Sequence, residues 1–133
     1  MKDFVKYDLA LKLKEKGFIT TEPFAMYQLE DIDTIYPLYT SDPYYYDLDD
    51  FDEYSFVAPT ISQVLKWLRE EKKYHVEFVG NACGYLFIVS DIPSEGGTDR
   101  YCSDYSGPND GGTWDTYEDC ALAGIEYVLD NLI

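Results

Sequence analysis

The sequence predicts an α+β fold, with a small antiparallel sheet of three to five strands and two or three helices packed on one face. Three observations carry this expectation. Residues 61–73 follow a helical apolar period behind a threonine cap. Residues 74–90 hold two strand-like runs around a short turn. Residues 116–132 return to helical periodicity. Helices and antiparallel strands in that arrangement point to α+β and not to a parallel, alternating fold.

The first element is a helix over residues 3–16. Asp3 serves as its N-cap and Gly17 as its C-terminal stop, with Phe18 placed to fold back on the last turn. Phe4, Tyr7 and Leu11 line one apolar face, and Lys12, Lys14 and Lys16 suit the negative end of the helix dipole. Residues 23–39 read as a loose hairpin, because Phe24–Tyr27 and Thr34–Tyr36 are strand-like and an acidic stretch separates them.

Residues 41–54 follow, with six acids, five aromatic residues and no base. The stretch is too polar for a core and too aromatic for ordinary disorder, so a partly ordered surface segment is expected. Thr60 then caps the clearest helix, where Ile61, Val64, Leu65 and Leu68 keep the i, i+3, i+4, i+7 spacing. Residues 74–79 alternate and residues 85–90 are more continuously apolar, so the two form an antiparallel hairpin across Gly80–Gly84. Residues 91–115 carry five of the nine glycines and read as a long loop. In the last helix Thr116 and Asp119 resemble a capping box, and Ala121, Ile125, Val128, Leu129 and Leu132 make one stripe.

Length and composition set the frame. One domain over residues 1–133 is expected, with 46% hydrophobic residues sufficient for a core. The longest apolar run, residues 85–89, falls far short of the ~20 residues of a spanning helix, so no membrane association is expected. The first residues lack the apolar core of a signal peptide. Three widely spaced cysteines, Cys83, Cys102 and Cys120, suggest reduced thiols in a cytoplasm.

Charge is the strongest compositional signal. The formal net charge is −16, from 26 acids and 10 bases. Nine bases lie within residues 2–16 and 66–73. No base occurs between residues 18 and 65, and Arg100 is the one base after Lys73. Phosphate binding needs lysine and arginine, so direct nucleic-acid binding is not expected. A basic protein partner is electrostatically favoured, and simple solubility explains the same acidity.

Few constellations suggest catalysis. His75 is the single histidine. Cys83 could reach it across the hairpin if the register allowed, as a cysteine–histidine pair would need. Packing explains both residues without chemistry. Cys120 sits in the first turns of a helix, but Glu118 and Asp119 oppose thiolate formation, so a core role is expected. No zinc-ligand spacing is present. Residues 47–53 and 109–115 bring acids and glycines together without matching a calcium loop, and the glycine pairs lack a phosphate-binding lysine. No cofactor is expected.

The aromatic-acidic tract remains. Tyr44, Tyr45, Tyr46, Phe51 and Tyr54 interleave with Asp47, Asp49, Asp50, Asp52 and Glu53. Tyrosine is enriched at interfaces, and carboxylates along an extended segment could imitate phosphates in a basic groove. The tract is therefore a candidate partner-binding site for an inhibitor or decoy. The alternative is that the tyrosines pack on the sheet and the acids keep the segment soluble. Two other functional readings stay open: a ligand- or cation-binding domain using the glycine-rich loop, and a small enzyme built on Cys83, His75 and loop carboxylates.

The stretches Ala58-Pro59-Thr60 with Gln63–Glu70, Tyr117–Ile125, and Leu13–Phe18 resemble a family of small uncharacterised proteins of gut Bacteroidetes, their phages and mobile elements. The resemblance covers about half the chain and rests on cap and core residues. It implies a fold and an origin on a mobile element, and no activity or functional residue.

Overall fold

The computed structural model describes residues 4–19, 25–28, 31–37, 55–92, 99–103, 106–109 and 112–133. The protein is α+β, with antiparallel strands and, among the described residues, three helices. The described strands form two three-stranded sheets. The chain falls into two compact units, residues 1–63 and 64–133.

In the first unit, α1 (Tyr7–Glu15) is followed by β1 (Ala25–Gln28), β2 (Asp31–Pro37) and β3 (Ser55–Val57), in sheet order β2-β1-β3. The expected hairpin is present as β1 and β2, with Met26 opposite Tyr36. The short strand β3 was not legible in advance. Three residues are too few to show a period, yet β3 pairs with β1, Tyr27 facing Phe56.

Helix α1 begins later than its sequence suggests. Phe4 bridges to Thr60, and the Val5 N–H donates to the Pro59 carbonyl at 2.8 Å. Those strand-like bonds hold the first residues extended, so Lys6 and not Asp3 precedes the helix. The C-terminus ends as the glycine implies. Gly17 has φ +83°, its N–H donates to the Lys14 carbonyl, and the Phe18 N–H reaches back to Leu13 at 2.9 Å. Leu9, Ala10 and Leu13 are buried, and Tyr7 meets Tyr27 and Phe56 edge-on at ring separations of 5.4 and 5.3 Å.

Helix α2 (Ile61–Glu70) opens on a reciprocal cap. The Gln63 N–H donates to Thr60 Oγ1 at 3.2 Å, and the Thr60 N–H donates to Gln63 Oε1 at 3.0 Å. It stops at Glu70, before the expected residue 73. Lys73 adopts φ +63°, a left-handed conformation that turns the chain into the next strand.

In the second unit, β4 (Tyr74–Asn81), β5 (Gly84–Asp91) and β6 (Asp99–Cys102) lie in that order. The β4–β5 hairpin has unbroken register from Tyr74 opposite Asp91 to Asn81 opposite Gly84. Strand β6 corrects the reading of residues 91–115 as one long loop. Its sequence, Asp-Arg-Tyr-Cys, has no apolar run, but pairing with β5 supplies the ladder that periodicity could not announce. Trp114 adds a further bridge to Tyr85, with bonds of 2.8 and 2.9 Å in both directions.

Helix α3 (Tyr117–Asn131) covers β4 and β5. The Asp119 N–H donates to Thr116 Oγ1 at 3.1 Å, the cap the sequence suggests. Ala121, Ile125, Val128 and Leu129 are buried, and Gly124 lets the helix approach closely. A Cβ there would meet Phe87 and Val76 at 3.2 Å. None of the described helices is long and apolar enough to cross a membrane.

Candidate functional site

The tract Tyr44, Tyr45, Tyr46, Asp47, Asp49, Asp50, Phe51, Asp52, Glu53 and Tyr54 lies outside the described residues. Its case rests on the sequence.

The possible cysteine–histidine pair is decided by register. His75 stands opposite Ser90, whereas Cys83 lies in the turn that follows Asn81. Six residue steps along β4 lead from His75 to Asn81, about 20 Å at the usual rise. Cys83 therefore cannot pass a proton to His75, and this pair carries no nucleophilic chemistry. The three thiols also stand apart in environment. Cys83 and Cys102 are exposed, and Cys120 is buried. Burial pushes the Cys120 thiol up to about 12, so it is a protonated core side chain.

The most elaborately built place in the described chain is the tip of the β4–β5 hairpin. Asn81 Oδ1 accepts from the Cys83 N–H at 2.8 Å, closing a side-chain turn. Gly84 has φ +137°, and a Cβ at that position would collide with the Trp114 carbonyl. The Cys83 carbonyl accepts from Thr113 Oγ1 at 2.8 Å and from Asn109 Nδ2 at 3.2 Å. The same Asn109 amide donates to Asp115 Oδ1 at 2.6 Å. Backbone bonds from Gly107 to Gly112 and from Asn109 to Thr113 complete the turn.

This arrangement bears on the cation-loop reading of residues 109–115. Asp110 and Gly111 lie outside the described residues. Of the remainder, Asn109, Thr113 and Asp115 spend polar atoms on fastening the hairpin tip. Among the described residues, no group of three or more His, Cys, Asp or Glu side chains is placed to hold a metal ion.

An aromatic cluster lies beside the same sheet. Tyr101 and Tyr127 stack at 3.8 Å and 13°, and the Phe87 ring sits 5.6 Å from Trp114. Sequence reasoning missed this cluster. Its members come from β5, β6, α3 and the segment before α3, and no local spacing links them.

Charge is paired where the bases are scarce. Arg100 makes a two-pronged contact with Asp91, at 2.9 Å from Nε and 2.8 Å from Nη2. That hydrogen bonding, followed by the Asp91 charge, holds the guanidinium still more firmly protonated than usual. Lys14 and Lys72 lie over the rings of Phe56 and Trp67, at 5.6 and 5.3 Å. No family model, curated protein or solved structure matches this chain.

Proposed function

We propose that this protein is a non-enzymatic interaction module that binds a basic protein partner through Tyr44, Tyr45, Tyr46, Asp47, Asp49, Asp50, Phe51, Asp52, Glu53 and Tyr54. The observation that carries the reading is compositional. Six acids and five aromatic residues fall within residues 41–54, inside a base-free stretch from residue 18 to 65. Carboxylates steer a cationic partner and repel nucleic acid and anionic membrane. The tyrosines supply contact area at low entropic cost.

A basic groove that normally receives a phosphate backbone is the partner surface this pattern suits best. The protein then acts as an inhibitor or decoy. The resemblance carried by Ala58-Pro59-Thr60, Gln63–Glu70 and Tyr117–Ile125 favours an origin on a phage or mobile element, acting in a bacterial cytoplasm.

The test is a comparative pull-down from bacterial lysate. The bait is either the natural protein or a variant with Asp47, Asp49, Asp50 and Asp52 all changed to Asn. Basic, nucleic-acid-binding proteins should be enriched on the natural bait and lost from the variant, with both baits folded by circular dichroism. Equal capture by both baits contradicts the reading.

A further inference from the structure

We propose that the outer edge of β4 is a self-association surface, through which two copies of this chain join their sheets. The two-residue turn Ala82-Cys83 makes Asn81 and Gly84 a hydrogen-bonded pair. Antiparallel bonding alternates, so His75, Glu77 and Val79 exchange their backbone bonds with β5. The N–H and C=O groups of Tyr74, Val76, Phe78 and Gly80 point the other way. The same alternation on β5 is visible directly, since Tyr85 and Phe87 turn their backbone groups toward Trp114 and Ser103.

Strand β4 ends the sheet order, and among the described residues no hydrogen bond reaches its outer row. An open row of this kind is a template for another strand. The two edges of this sheet differ. Strand β6 is four residues long, carries Asp99 and Arg100 and lies across a register shift, all of which blunt an edge. Strand β4 has eight residues, unbroken register, no proline and no lysine, and Val79 is 38% exposed. Its one formal charge is Glu77.

A second copy fits this row by symmetry. The open groups match only when even-numbered residues face even-numbered ones. With Glu77 on the two-fold axis, like carboxylates would meet. With Val76 on the axis, Tyr74 faces the partner's Phe78 and His75 faces the partner's Glu77, each contact occurring twice. The aromatic pairs share one face of the joined sheet and the polar pairs the other. The facing His75 and Glu77 positions form a non-hydrogen-bonded pair across the interface, with Cα atoms about 4.5 Å apart. Each copy carries a net charge of −16, so added salt strengthens this association by screening.

Sedimentation of the purified full chain tests the proposal. The weight-average mass should rise from 15.4 kDa toward double with concentration, and more readily at high salt. A single monomeric mass at every concentration and salt overturns it. Register is tested by cross-linking in a background carrying Cys83→Ser and Cys102→Ser. Mixed His75→Cys and Glu77→Cys copies should form a mixed disulfide several-fold faster than either forms one with itself. Equal rates, in variants shown to be folded, exclude this edge pairing.

Discussion

Tyr27 is buried in β1, and its hydroxyl donates to the Val5 carbonyl at 2.7 Å. Tyr27→Phe keeps the ring packing and strands that carbonyl, so chemical denaturation should show a loss of about 1–2 kcal/mol. Cys120 makes a different kind of prediction. Its thiol titrates near 9 in an unfolded chain and near 12 in the fold. The raised value favours the neutral folded form. Its contribution is complete below pH 9 and is lost as pH rises toward 12, where the unfolded chain releases the proton first. Stability should therefore fall in that window by up to about 1.4 kcal/mol per pH unit from this group. Burial also raises Tyr27 and Tyr117, which add in the same direction. Cys120→Ala should flatten the slope in denaturation measured between pH 9 and 11; an unchanged slope would show that the buried thiol is not its source.

At the scale of elements, legibility followed locality. Helices α2 and α3 and the β4–β5 hairpin were readable because their signals lie within one segment. Thr60 and Gln63 meet as a cap, Gly17 ends α1, and Val76, Phe78, Phe87 and Val89 alternate correctly. What escaped depends on distant partners. Strands β3 and β6 have little intrinsic pattern, and they exist because β1 and β5 offer open edges. The start of α1 moved because Phe4 and Val5 pair with residues near position 60. The separation of His75 from Cys83 follows from the length of β4 between position 75 and the turn. The close approach of α3 also belongs to this scale. Gly124→Leu would drive a branched side chain against Phe87 and Val76, and should cost at least about 2 kcal/mol in thermal or chemical unfolding. Unchanged stability would contradict the tight helix–sheet contact.

Over the whole molecule, charge is the organising quantity. Bases are confined almost entirely to residues 2–16 and 66–73, and Arg100 is matched by Asp91. The net charge of −16 therefore acts with little local compensation across the middle of the chain. Opposite responses to salt follow for the two proposed contacts. A cationic partner bound through residues 41–54 is released as salt rises, whereas pairing of two copies through β4 is favoured.

The most direct measurement of the central claim is calorimetric titration of the captured basic partner at low and high salt. It uses the natural chain and the variant carrying Asn at positions 47, 49, 50 and 52. The proposal predicts steep weakening with salt for the natural chain. For the variant it predicts at least about tenfold weaker binding, from four lost charges at roughly 0.5 kcal/mol each. Equal affinities for the two chains, with the same salt dependence, would contradict a role for the acidic tyrosine-rich tract.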